Sequence, residues 1–118
     1  MRAAQQGVRP QTQVGVSYSS VDPIINAWTQ RHKLMLFTHH EGYEHQPCRS
    51  IYTSSADGEC CQIWIDPPDD GLVELHAIAI EARDDEQMTK DWRVPVVELD
   101  HALEQALSFV KMWMARQS

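Results

Sequence analysis

Cysteine is scarce in this chain, and its placement excludes more than it suggests. Three cysteines occur in 118 residues, Cys48, Cys60 and Cys61. An odd number, two of them adjacent, is not a disulfide framework. No Cys-x-x-Cys pair is present, so the usual nucleus of a structural zinc site is missing. Long apolar runs are missing too: none approaches the roughly 18 residues a membrane-spanning helix needs. The first twenty residues contain no apolar core of the signal-peptide kind. Together with the free-thiol pattern, this predicts a cytoplasmic protein in a reducing compartment. Five glycines are spread along the chain, and none sits in a Gly-rich phosphate loop or a Gly-x-Ser-x-Gly elbow.

Basic residues are also few. Ten Lys and Arg stand against seventeen Asp and Glu, a formal net charge of −7. A phosphate-backbone binder needs clustered cations, so nucleic acid is excluded as the expected partner, and so is an anionic membrane surface. An acidic surface suits solubility, or a partner protein with a basic surface.

What is present is the composition of one globular domain. Hydrophobic residues make up 42% and charged residues 23%, and a chain of this length can bury a core without disulfides or metal. Residues 1–19 are rich in Gln, Ser, Gly and Ala and read as a flexible arm, with Val14, Val16 and Tyr18 able to form a short edge strand. Residues 20–118 read as a single domain. A helix is expected from Ser20–Pro23, capped by Ser20 or Asp22 and with Pro23 in its first turn. Val21, Ile24, Ile25 and Trp28 would give it an apolar face.

Leu34–Thr38 reads as a short buried strand and His40–Pro47 as a polar loop. Arg49–Ser54, Glu59–Asp66 and Leu72–Arg83 alternate as strands, separated by Ser55–Gly58 and Pro67–Gly71 turns. Asp84–Asp91 reads as a charged loop, and Trp92 and Val94 as an extended segment that Pro95 keeps out of helix. From about Val97 to Arg116, Leu99, Ala102, Leu103, Ala106, Val110 and Trp113 trace one apolar stripe, widened by Leu107 and Met114. The expected fold is therefore α+β: an antiparallel meander of four to five strands, with an N-terminal and a C-terminal helix packed on one face.

Three groups of residues can carry chemistry or binding. The first is the run His39-His40-Glu41-Gly42-Tyr43-Glu44-His45, followed by Cys48. A metalloprotease helix needs two His four apart on one face, whereas His40 and His45 are five apart with Gly42 between them. His40, His45 and Cys48 remain weak metal candidates, and a solvated polar loop is the ordinary role for such a run. The second is a thiol nucleophile paired with His76 or His45. No cation or helix N-terminus marks an activated thiol, and Cys61, in phase with Ile63 and Ile65, is expected to pack as a small hydrophobe.

The third group lies on the other strand face. Trp64 projects opposite to Ile63 and Ile65, so Tyr52, Trp64 and His76 can share an exposed face beside Asp69, Asp70 and Glu74. Aromatics of this kind dominate binding hot spots. No cofactor is expected.

Residues 91–114 carry a further pattern: Trp92-Arg93-Val94-Pro95-Val96, then Leu99, Ala102-Leu103 and Ala106-Leu107. This segment resembles small immunity proteins of bacterial polymorphic toxin systems. The resemblance implies an acidic protein that plugs a toxin's active site and performs no reaction. The expected function is thus a non-enzymatic protein-binding or inhibitor domain. The alternatives are a homodimeric interaction module and a small metal or thiol protein centred on the His40–Cys48 loop.

Overall fold

Val21, Ile25 and Trp28 recur at helical spacing, and all three are fully buried, along the helix α1 (Asp22–His32) and its N-cap. They are described by a computed structural model covering residues 18–40, 43–56, 58–81 and 88–116, with backbone alone at 39, 40, 43–46 and 81. Pro23 sits in the first turn as expected, but the cap differs: Val21 occupies the N-cap, with no side-chain hydrogen bond. Asp22 is engaged elsewhere, accepting hydrogen bonds from Arg49 Nε at 2.7 Å and Nη2 at 3.0 Å. A paired guanidinium is a stronger partner for a carboxylate than one backbone N–H.

Among the described residues five strands follow: β1 (Leu36–His40), β2 (Tyr43–Ser54), β3 (Cys60–Ile65), β4 (Leu72–Glu81) and β5 (Thr89–Pro95). They pair in sequence order as an antiparallel meander. A 3₁₀ turn at Val96–Glu98 leads into α2 (Leu99–Met114). The architecture is the α+β arrangement read from the sequence, with five strands.

The core lies between the sheet and the helices. Ile51, Cys61, Ile63, Ile65, Val73, Leu75 and Ala77 form its sheet side, and Leu99, Ala102, Leu103, Ala106, Leu107 and Val110 its α2 side. Alternation along β3, and along β4 as far as Ala77, puts every second residue there. Tyr18, assigned to the arm by composition, belongs to this core: it is 4% exposed, and its hydroxyl donates to the Ile65 carbonyl at 2.9 Å. Burial, with Asp66 nearby, pushes its phenol pKa well above the ordinary value. The Arg49 guanidinium lies 4.3 Å over its ring. The proposed edge strand at Val14 and Val16 falls outside the described residues.

The polar stretch expected to be a loop is largely strand. β2 begins at Tyr43, and His40 pairs with Tyr43 across residues 41–42. Pro47 is tolerated there because β3 pairs with β2 only from Arg49 onward. Beyond that point the ladder has two strands, so the missing N–H breaks no central pairing. The Pro67–Gly71 turn closes as a tight hairpin. Asp69 and Leu72 exchange both backbone hydrogen bonds, at 2.8 and 3.0 Å, and Asp70 (φ 55°) and Gly71 (φ 78°) both take positive φ. The Asp-Gly pair is suited to that backbone.

Candidate functional site on the open sheet face

Both helices lie on one side of the sheet, so the residues alternating with the core project from the other. The register aligns them in rows. Phe37 opposes Ser50, Ser50 opposes Trp64, Trp64 opposes His76, and His76 opposes Asp91. The neighbouring row runs Tyr52, Gln62, Ile78 and Thr89. Phe37, Tyr52 and Ile80 are 39%, 38% and 47% exposed, while Trp64, His76 and Ile78 are half-buried.

The apolar part of this face is ordered by side-chain contacts. Phe37 and Tyr52 meet edge to face with ring centroids 5.1 Å apart. Gln62 Nε2 donates to the Tyr52 hydroxyl at 3.1 Å.

The acidic part converges on His76. Its Nδ1 lies 2.7 Å from Asp91 Oδ1, and its Nε2 lies 2.8 Å from Asp66 Oδ2. Trp64 Nε1 donates to the other Asp66 oxygen, Oδ1, at 3.0 Å. Partial burial by itself would lower the His76 pKa. The hydrogen bonds to Asp91 and Asp66, with their negative charges, outweigh it and hold the pKa above the ordinary imidazole value. His76, expected on an exposed face, is instead half-buried, with a carboxylate at each ring nitrogen.

Asp66 and Glu74 are brought together by a backbone bond from Asp66 N to Glu74 O at 2.9 Å. With Asp69, Leu72 and Arg93 they line a hollow of about 210 Å³. The Arg93 Nε stands 3.8 Å from Glu74 Oε2, a loose and exposed pairing. One guanidinium therefore faces several carboxylates, and the hollow is acidic.

The expected site residues divide accordingly. Trp64, His76, Asp69 and Glu74 gather at the acidic end of the face, and Tyr52 lies in the aromatic part. Asp70 is an exposed hairpin residue that does not line the hollow, and its turn conformation accounts for its identity. Phe37, Gln62, Asp66, Asp91 and Arg93 complete the site and were not singled out in the sequence. Asp66 was within reach of a period-2 reading, two residues beyond Trp64. Asp91 and Arg93 were not, because only the β4–β5 register brings them opposite His76 and Glu74.

Of the metal candidates, the His40 and His45 side chains lie outside the described residues. Cys48 is 3% exposed, its Sγ 3.9 Å from the Phe37 carbonyl oxygen. Burial pushes its thiol pKa up, against the lowering effect of Arg49. Cys61 is fully buried among the core residues, and burial, with the nearby Cys60 and Glu59, pushes its pKa up to about 11. Neither thiol has the lowered pKa of an activated nucleophile.

No described helix is long and apolar enough to cross a membrane. Comparisons with protein-family models, curated proteins and solved structures returned no match to this chain.

Proposed function

We propose that this chain is a non-enzymatic binding domain that docks a basic protein partner on its open sheet face, as an inhibitor of the toxin-neutralising kind. The reading rests on one observation: exposed Phe37, Tyr52 and Ile80 share a face that neither described helix covers with the acidic group Asp66, Asp69, Glu74 and Asp91. Aromatic anchors give a desolvated centre, and the carboxylates reward a partner presenting Lys or Arg beside it. The same carboxylates disfavour a second copy of this chain face to face, since like charges would meet. Three thiols with no disulfide between them suit a reducing, cytoplasmic setting.

The test is affinity capture of the tagged chain from its own source at about physiological salt, with three proteins run side by side. Wild type and Val97→Ser, altered at an 89% exposed site away from the face, are expected to retain one basic protein at a fixed ratio. Tyr52→Ala is expected to lose it. A partner kept by Tyr52→Ala, or a stable homodimer with no other protein attached, contradicts the proposal.

A further inference from the structure

The acidic end of the open face has the donor set of a metal centre. Asp66, Glu74 and His76 each offer one ligand atom, and these atoms lie within 4.8 Å of one another. We infer that they bind a divalent transition-metal ion, with zinc the ion of best fit, and that Asp91 positions His76 for it. Metal binding here shares carboxylates with the proposed docking face, but it needs no partner and is tested without one.

Placement comes first. Glu74 and His76 are two apart on β4 and so share a face. Asp66 is fixed opposite Glu74 by its backbone bond to Glu74 O. All three donors therefore stand on paired strands or directly at a strand end, which hold geometry better than a loop. Zinc bonds of about 2.0–2.2 Å to oxygen and nitrogen place neighbouring ligands about 3–3.5 Å apart. Asp66 Oδ2 and His76 Nε2 face each other at 2.8 Å, so an ion between them requires a separation of only about half an ångström. Glu74, 47% exposed and loosely held by Arg93 at 3.8 Å, is free to swing inward.

The surrounding hydrogen bonds orient both inner ligands. A metal-binding histidine is typically held by a carboxylate on its other ring nitrogen, and Asp91 Oδ1 stands 2.7 Å from His76 Nδ1. That contact leaves Nε2 as the ligand atom. Trp64 Nε1 occupies Asp66 Oδ1, which leaves Oδ2 for the ion.

The donor set selects the class of metal. Two carboxylates and an imidazole suit zinc and its first-row neighbours; calcium requires six to eight oxygens. Three protein ligands beside a hollow of about 210 Å³ leave room for water in the remaining position, with Asp69 also on its lining.

The experiment is calorimetric titration of the full, chelator-stripped chain with zinc chloride, and of single variants whose fold is checked by circular dichroism. The expected result is one ion bound at this site. Glu74→Gln, a near-isosteric change at an exposed position, and His76→Ala should each weaken it at least tenfold. Asp91→Ala, which removes no ligand atom, should weaken it by about tenfold. The double variant His40→Ala/His45→Ala should leave it unchanged. Affinity weaker than about 1 mM, wild-type affinity in folded Glu74→Gln and His76→Ala, or loss confined to the His40/His45 variant overturns the assignment.

Discussion

Arg116, just beyond the end of α2, pairs with Glu59, immediately before β3, through two parallel hydrogen bonds of 2.9 Å (Nη2–Oε2) and 3.3 Å (Nη1–Oε1). The Glu59 side chain is 1% exposed and that of Arg116 is 17% exposed. The guanidinium also lies 3.7 Å over the Trp113 ring. A buried carboxylate that loses these two hydrogen bonds keeps its desolvation cost without the charge that offset much of it. Arg116→Ala should therefore cost about 1.5–3 kcal/mol of stability. Replacing both partners, in Glu59→Gln/Arg116→Met, should recover much of that loss. Urea unfolding of the three proteins checks this, and a double variant no more stable than Arg116→Ala would contradict it.

The two helices are joined through Glu104. It accepts from Arg31 Nε at 3.0 Å and from Arg31 Nη2, and its Oε1 lies 2.9 Å from His32 Nε2. The His32 and Arg31 hydrogen bonds hold its pKa below the ordinary glutamate value of 4.5. For a depressed carboxylate, the contribution to stability is full above the unfolded-state value and is lost as pH falls through the folded value. Because the group is partly exposed, the contribution should be below about 1 kcal/mol. The stability difference between wild type and Glu104→Gln should be fully present at about pH 6 and shrink steadily below 4.5. A difference that grows with acid would reverse the assignment.

Thiol labelling should discriminate among the cysteines. Cys60 is half-buried, whereas Cys48 and Cys61 are buried. With its pKa raised to about 11, Cys61 carries about one thiolate per thousand molecules at pH 8. Iodoacetamide should modify Cys60 first in the native protein, and Cys48 and Cys61 only after unfolding. Rapid native labelling of Cys61 in peptide maps would count against the packing described.

The two sheet faces should respond unequally to truncation. Ile63→Ala, in the core, should cost about 2–5 kcal/mol. Phe37→Ser or Tyr52→Ser, on partly exposed residues of the open face, should cost about 1 kcal/mol or less. Thermal unfolding of these variants would show the asymmetry. Equal losses on both faces would mean that the open face belongs to the core.

Much of the fold was legible because periodicity is a local signal. The α2 stripe from Leu99 to Val110 and the alternation of Cys61, Ile63 and Ile65 required no knowledge of partners. The errors came where tertiary contacts overrule local pattern. The 43–47 stretch looks like a loop by composition, yet it continues β2 beyond the reach of β3. Asp22 looks like a helix cap, yet Arg49 takes its carboxylate. Tyr18 looks like part of a polar arm until the Ile65 carbonyl is seen to hold its hydroxyl. The site was half legible for the same reason. Trp64, His76 and Glu74 follow from strand phase, but Asp91 and Arg93 enter only through the β4–β5 register.

The most direct test of the docking face is hydroxyl-radical footprinting of the chain alone and in complex with its captured partner. The account predicts that Phe37, Tyr52 and Trp64 lose reactivity in the complex while Met112, 74% exposed on α2, is unchanged. Protection of Met112 with the three aromatics unaffected would place the partner on the helical side and contradict the account.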